Sequence, residues 1–536
     1  MTIATEPRIK NWQSLRAATP ERMQKAHAAL RDIREGGGVF DAIQDHPLKG
    51  GYIGKQLLVA AYHELVHTGQ WAEDPALLAR IRLKPMRTLS GVTVVTVLTK
   101  PYPCPGKCVF CPTDIRMPKS YLPDEPGAMR ALQHEFDPYA QVCARLDALH
   151  AVGHPTDKIE FLVLGGTWSS YRRDYQEWFV HRMFDAINEV DLPTLGEAHA
   201  YNETADHRSV GLAIETRPDH VDREELAWLR RLGVTKVQLG AQSFDNHILE
   251  INQRGHTAEE TLRATNLLRA AGFKIVLHWM PNLLGATPES DREDFAKLWQ
   301  GYCPDELKIY PTQLLANAEL YLNWQRGEYK PYTTEELVDL LAEIKPTIPE
   351  YCRVNRVIRD IPSTNVVEGN KRTSLRMDVH EVMKARGLEC RCVRCREVRG
   401  RGVNAEDLWL TDLAYDAGKA KEHFVSFITP EDRLAGFLRL SLPQPDSPTT
   451  GLPDLSGAAL VREVHVYGQS LEVGEEKSGA AQHIGLGTRL LERAEGIARA
   501  AGFDRMAVIA AVGTRRYYSG RGYQLGETYM TKTLSS

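Results

Sequence analysis

Between residues 91 and 358, short β-branched runs alternate with amphipathic stretches, and few folds can accommodate that alternation. The runs at 91–99 (GVTVVTVLT), Lys158–Leu164, 210–215, 234–240, 274–280 and 307–310 read as strands. A shorter, charged run at 353–358 is a further candidate. Helices fit 139–151, 175–190, 223–232, 258–271, 289–302 and Thr334–Ile344. Such alternation is the pattern of a parallel sheet covered by helices, so the expected fold class is α/β. About six βα units suit an open barrel, and sites on such barrels lie at the C-terminal ends of the strands.

Directly after the first strand comes PCPGKCVFCP, with Cys104, Cys108 and Cys111 spaced C-x3-C-x2-C. Three thiolates this close in sequence can hold one soft metal centre. Iron–sulfur clusters normally take four cysteines, so three would leave one iron open to another ligand. A structural zinc loop needing a fourth ligand, or three unrelated thiols, are the duller alternatives. The loop, with the aromatic Phe110 before its last cysteine, resembles the cluster loop of radical S-adenosylmethionine (SAM) enzymes. That resemblance implies a 4Fe-4S cluster on Cys104, Cys108 and Cys111, whose open iron binds the amino and carboxylate groups of SAM. It also implies a 5′-deoxyadenosyl radical, made when an external electron donor reduces the cluster.

Other strand ends carry glycine or polar residues. Gly165-Gly166-Thr167 would let backbone amides reach a ligand, or is a plain tight turn; it resembles the Gly-Gly-Glu motif that contacts the SAM amino group, with Thr167 in the acidic place. Glu215 could face ribose hydroxyls, or pair with Arg217. Arg353, Arg356 and Arg359 recur every three residues, as a phosphate-binding ridge or as salt bridges within the domain. A second cluster, Cys390, Cys392 and Cys395, is set among Arg391, Arg394 and Arg396 and reads as a structural zinc site, with an auxiliary iron–sulfur cluster as the alternative. Its fourth ligand is not local; Cys303, Cys352 and His380 are candidates.

Beyond residue 408 the style changes. Strands fit 408–412, 423–429, 434–440, 458–467, 505–510 and 523–533, with helices from 489 to 501 and at 513–520. The run Gln482-His483-Ile484-Gly485-Leu486-Gly487-Thr488 precedes the first of these helices and would place bare N–H groups at a helix start, a cradle for pyrophosphate. With Gly522-Tyr523 after a short helix, this resembles the GNAT acetyltransferase fold.

The formal net charge of −4 hides local basic stretches: residues 1–100 carry 14 Lys/Arg against 9 Asp/Glu, and 371–401 carry 10 against 4. Such patches can bind phosphate although the whole chain is acidic. Six of the nine cysteines fall in the two clusters, which suits metal sites in a reducing compartment better than disulfides. No apolar run is long enough to span a membrane, and the first dozen residues lack a signal-peptide core, so a cytoplasmic location is expected.

A radical SAM core and a GNAT domain in one chain resemble the catalytic acetyltransferase subunits of Elongator, in a prokaryotic single-chain form. The motifs TLSGVTVVTVLTKPYPCPGKCVFCP, IETRPD, RGHT, RVIRDIPS, ECRCVRCREV, REVHVYG, QHIGLGTRLL and GTRRYYSGRGY carry this resemblance. It implies an N-terminal helical, tRNA-binding region (1–88), an open (β/α)6-type radical SAM barrel (89–370), a zinc-binding basic linker (371–402) and a GNAT domain (403–536). It implies further that the substrate is the wobble uridine of tRNA, that acetyl-CoA is the acyl donor and that the product is 5-carboxymethyluridine or its precursor. By the same resemblance Lys158 contacts acetyl-CoA, Glu463, Val464, His465 and Val466 pair with its pantetheine arm, and Gln482, Gly485, Leu486, Gly487 and Thr488 hold its pyrophosphate. Tyr518 lies by the thioester, while Tyr517 either assists or packs in the core. The tRNA surface would combine the N-terminal helices with Arg353, Arg356, Arg359, Arg391, Arg394 and Arg396, without Elongator partner subunits. The rival expectation is a protein lysine acetyltransferase with a vestigial radical domain.

Overall fold

Along β2 (Lys158–Leu164) every second residue is buried: Ile159, Phe161 and Val163 lie under the outer helices, while Lys158, Glu160, Leu162 and Leu164 take the other face. The same two-sided demand shapes the rest of the first sheet. The structure is a computed structural model that describes residues 18–49, 51–399, 403–467 and 485–534. In it β1 (Thr93–Leu98), β2, β3 (Arg208–Thr216), β4 (Lys236–Gln242), β5 (Lys274–Trp279), β6 (Glu306–Ile309) and β7 (Arg353–Arg356) pair in chain order, all parallel. The charged run at 353–358 thus adds a seventh, four-residue strand to the six expected. β1 and β7 do not pair with each other, so the barrel stays open between them.

The covering helices begin where the sequence supplies caps. Thr257 and Thr333 form capping boxes with Glu260 and Glu336, and Asp137 and Asp222 accept from backbone N–H groups of the first turn. The helix expected at 289–302 does not run through: it covers Pro288–Lys297, then widens into a turn with Gly301 at φ 98°, a conformation open to glycine.

Four helices, Pro20–Arg34, Val39–Asp45, Lys55–His67 and Pro75–Ile81, build a small N-terminal core around Leu30, Ile33, Leu58, Val59 and Ile81. The second sheet has the order β13-β14-β12-β11-β10-β9-β8. Its strands are β8 (Trp409–Ala417), β9 (Ala420–Ile428), β10 (Leu434–Pro443), β11 (Ala458–Val466), β12 (Arg505–Val508), β13 (Gln524–Leu525) and β14 (Met530–Thr533). All its pairs are antiparallel except β11 with β12. The single strand expected at 523–533 is a hairpin instead. Its turn is pinned by the carboxylate of Asp454, which accepts from the N–H groups of Glu527, Thr528 and Tyr529.

The two sheets share one contiguous apolar core. Gly513 lies so close to the start of β3 that a Cβ would come within 2.6 Å of the Arg208 Cβ and 2.9 Å of the Ser209 backbone. Buried ions reinforce the junction: Arg462 of β11 grips Asp305 and Glu422, and all three are fully buried. Among the described residues no helix is long and apolar enough to cross a membrane.

Candidate active site

A cavity of about 430 Å³ occupies the C-terminal end of the barrel, where the cysteine loop leaves β1. Cys104, Cys108 and Cys111 line it, together with Gly166, Thr167, Glu215, Gln242 and His278. Two guanidiniums are brought to the sulfurs. Arg254 Nη1 donates to Cys108 Sγ at 3.3 Å, and Arg217 is fixed through a fork on Asp219. The Cys108 thiol is pushed down to about 5, first by the hydrogen bond from Cys111 and then by Arg254 and Arg217. Cys111, the donor in that bond, is pushed up. A thiolate such as Cys108 is what a metal centre requires of a cysteine ligand.

The walls of this cavity suit a polar ligand. Arg217 Nη1, Gln242 Oε1, Arg254 Nε, Thr312 Oγ1 and Gln313 Oε1 are buried there without a hydrogen-bond partner. An unsatisfied buried polar atom costs roughly 1–3 kcal/mol, so a set of them around one cavity is the mark of a binding site. SAM, with its amino, carboxylate and ribose groups, fits that set. Gly165, at φ 140°, makes the turn after β2 so tightly that a Cβ would overlap Thr99 Oγ1 at 1.8 Å. Thr167 Oγ1 lies 3.8 Å from Cys104 Sγ. Glu215 does not pair with Arg217: its carboxylate accepts from the Tyr121 hydroxyl at 3.1 Å and meets His278 Nδ1 at 3.2 Å. His278 is pushed well down, first by burial and then by Lys308 and Arg254, so its neutral ring can donate to Glu215.

A second cavity, about 710 Å³, lies at the other end of the barrel, between it and the second sheet. β12 accompanies β11 only from Ala458 to Val461, and past that point Arg462, Glu463, Val464 and His465 line the cavity. Opposite them the inner face of the barrel carries a chain of ion pairs. Glu160 meets Lys236, Lys236 meets Glu306 at 3.4 Å, and Glu306 meets Lys274 at 2.7 Å. Lys274 then meets Glu463, which holds Arg439 at 2.8 Å. His465 Nε2 is buried without a partner, and burial pushes this imidazole down to about 4. Tyr518 also lines the cavity, its phenol pushed up by burial. Lys158, pushed down by burial, stands two residues before Glu160 on the same face of β2 and is not itself in the lining. The two cavities share Arg87, Leu162, Lys308 and Arg356 in their walls.

Gly485 is the N-cap of the helix Leu486–Ala500. Tyr517 packs over its first turn, where a Cβ on Gly487 would meet the Tyr517 hydroxyl at 2.3 Å, and Arg521 stacks on Tyr517 while donating to Thr488 Oγ1. Tyr517 therefore supports the loop and Tyr518 faces the cavity. Gln482 lies outside the described residues.

The sulfurs of Cys390, Cys392 and Cys395 all lie within 4.8 Å of one another, the one such group among the described residues. Thiolates around one tetrahedral zinc, with bonds of ~2.3 Å, stand ~3.8 Å apart, so this trio fits a single ion. None of Cys303, Cys352 and His380 joins the group; the buried Lys345 ammonium donates to Cys390 Sγ at 3.6 Å.

The arginine ridge does not form. Residues 353–356 make a strand, and the side chains leave in different directions: Arg353 to Glu397 and Tyr467, Arg356 to Asp360, Arg359 to Glu125 and Ser120. Arg396 is buried on Glu350 and Asp432, which Arg391 also meets from a more exposed position. Sequence reasoning missed the grip of Arg254 on Cys108 and the Glu215–His278 pair, although Arg254 belongs to the RGHT motif and Glu215 to IETRPD.

The radical SAM superfamily matches residues 102–298, and the Radical_SAM C-terminal domain matches 304–385. A tRNA uridine(34) acetyltransferase of Dehalococcoides mccartyi is 43% identical over 84% of this chain and 99% of its own length. Elongator complex protein 3 of Danio rerio is 38% identical over 86% of this chain and 87% of its own. The solved archaeal Methanocaldococcus infernus Elp3, with its N-terminus deleted, is 37% identical and superposes with a TM-score of 0.73 over 83% of this chain and 100% of that one.

Proposed function

Because the chain belongs to the family of tRNA uridine(34) acetyltransferases and Elongator complex protein 3, we propose that it modifies the wobble uridine of tRNA by radical chemistry with acetyl-CoA as the acyl donor. The finer reading is that two carbons of the acetyl group end on carbon 5 of the base, giving 5-carboxymethyluridine or its precursor. The observation that carries the proposal is the pair of cavities whose walls share Arg87, Leu162, Lys308 and Arg356, one holding the cysteine loop and the other the unpaired edge of β11.

Cys104, Cys108 and Cys111 would hold a 4Fe-4S cluster, with SAM in the cavity above it. When bound, these supply a radical able to take a hydrogen atom, given an electron from an external donor. The protein's part is placement. Arg254 and Arg217 keep positive charge beside the sulfurs, and Glu215, held by Tyr121 and His278, keeps an acceptor in the cavity wall. At the far end Glu463–His465 offer strand edge to an extended pantetheine arm, and the start of Leu486–Ala500 offers N–H groups to pyrophosphate. Tyr518, kept protonated by burial, can donate to a leaving thiolate or orient a water. Lys158 would approach the same cofactor from the barrel side. Holding both reactants in neighbouring cavities of one chain would replace a bimolecular encounter by a positioned one.

The zinc-fitting trio would anchor the basic segment 371–402 between the larger units 89–370 and 403–536, with 1–88 against the RNA. Arg356, Arg391 and Arg394 remain partly exposed to join that surface. The test is mass spectrometry of the wobble nucleoside after anaerobic incubation with tRNA, SAM and acetyl-CoA carbon-labelled in the acetyl group. Label on the base is expected, with turnover of acetyl-CoA stimulated by tRNA and sharply reduced in Tyr518→Phe. Unlabelled uridine, or stimulation by peptides in place of tRNA, would refute it and favour a protein acetyltransferase.

A further inference from the structure

Three arginines converge, from separate segments, on the β1 edge of the cavity that holds the cysteine loop. Arg87 ends the short turn Pro85–Arg87, Arg130 lies on the helix Pro126–Gln133, and Arg145 lies on the helix Pro138–His150. All three line the cavity. None has an acidic side chain within 4.0 Å among the described residues, whereas Arg353, Arg359 and Arg396 each hold a carboxylate. The guanidiniums also repel one another. Arg145 is pushed down to about 10, first by burial and then by Arg130 and Arg87, and Arg130 is lowered by burial and by Arg87. Nearby His154 is pushed down to about 4 by burial and then by Arg82, Arg87 and Arg145, so it adds no compensating charge.

Holding three unneutralised cations together is unfavourable unless an anion joins them. Their place says which anion. The barrel is open between β1 and β7, and the triad stands on the β1 side of that opening beside the cavity that holds the cysteine loop. A base leaving an RNA stem to enter this cavity must bring its flanking phosphodiesters to the rim. Guanidinium forks match phosphate oxygens in geometry as well as charge. We propose that Arg87, Arg130 and Arg145 form a phosphate-binding triad that grips the RNA backbone beside the extruded uridine. The inference rests on the tRNA reading above. It assigns to these residues the fixing of the substrate's register, which the paired Arg353, Arg359 and Arg396 are less free to perform.

The test uses the full chain with its cluster, and an anticodon stem-loop RNA with uridine at the wobble position. Dissociation constants are measured across a salt series for wild type, Arg130→Gln/Arg145→Gln and Arg87→Gln. Each phosphate contact contributes ~0.7–0.9 to the slope of log affinity against log salt. The double variant is expected to lose a slope of ~1.5 and to bind at least ~10-fold more weakly near 0.1 M salt. The Arg145→Lys variant, which keeps the charge, should keep the slope. Affinities for SAM and for acetyl-CoA, measured by calorimetry, should stay as in wild type, as should the melting temperature. An unchanged slope overturns the proposal. So does a lost affinity for SAM, which would make the triad a carboxylate site, or for acetyl-CoA, which would make it a site for coenzyme phosphates. If wild type itself shows no salt-dependent RNA binding, the tRNA reading fails and the triad with it; if wild type binds and the variants bind alike, only the triad fails.

Discussion

Arg462→Ala probes what joins the two halves of the molecule. Arg462 Nη2 lies 2.6 Å from Asp305 and 2.7 Å from Glu422, Nη1 donates to Asp305 at 2.7 Å and to the Phe273 carbonyl at 3.0 Å, and all three ionised side chains are fully buried. Burial alone would raise Asp305, yet Arg462 and then Arg439 hold it well below the usual carboxylate range. Removing the arginine leaves two carboxylates facing each other out of water. Breaking one side of a buried pair costs ~3–5 kcal/mol. Arg439, 3.5 Å from Asp305, and Arg269, 3.8 Å from Glu422, remain as partial compensation, which favours the lower end. For an unfolding unit of several hundred residues, with an unfolding entropy of ~2.1 cal/mol/K per residue, ~3 kcal/mol corresponds to a fall of roughly 3–5 °C in the first melting transition. The pH dependence gives the sharper test. In wild type, Asp305 is lowered on folding, so its contribution is present at neutral pH and lost only as pH falls below the unfolded value of about 3.9. In the variant Asp305 keeps its burial but loses its strongest cationic partner, so its carboxyl moves up and its ionised form costs stability as pH rises. The gap between the two proteins should therefore be wider at pH 7.5 than at pH 5.5, as read by differential scanning calorimetry. A melting temperature within about 2 °C of wild type at both pH values, or a gap that pH does not move, would refute the account.

The two cysteine trios should separate cleanly. In anaerobic preparations Cys108→Ser is expected to lose iron and keep zinc, and Cys392→Ser to lose zinc and keep iron, as measured by elemental analysis; loss of both metals from either variant would contradict two independent centres. Asp291 is pushed up to about 7 by burial, although it accepts from the Asn282 N–H at 2.8 Å and the Tyr332 hydroxyl at 2.8 Å. A raised carboxyl binds a proton in the folded state that the unfolded chain releases, so it contributes stability at low pH that declines as pH rises from about 4 to 7. Asp291→Asn should flatten the melting curve across that window and leave the protein more stable at neutral pH; a steeper decline in the variant would reverse the sign and refute the assignment.

What could be read in the sequence was whatever the chain does locally. The strand Lys158–Leu164 and the helix Thr334–Ile344 stand at their expected bounds because period-2 and period-3.6 burial, and a capping box at Thr333, are written within a few residues. The cysteine loop, the Gly165-Gly166 turn and the glycine before Leu486–Ala500 were legible for the same reason: each is a short stretch with one backbone task. Side-chain partners were not. Arg217 stands two residues from Glu215, which made a pair between them plausible, but β3 ends at Thr216 and the two side chains part company. Arg217 goes to Asp219, and Glu215 takes partners that come from β5 and from a loop beyond β1. The three-residue spacing of Arg353, Arg356 and Arg359 would make a ridge on a helix; on a strand and the loop after it, it makes three separate ion pairs. Spacing carries meaning only once the period of the backbone is known. The triad Arg87, Arg130 and Arg145 had no motif at all, because each comes from a different segment and they meet only when β1 takes the edge of the sheet. In this chain, then, the residues that would hold a cofactor announce themselves in sequence, while those that would hold an extended substrate emerge from how the elements are stacked.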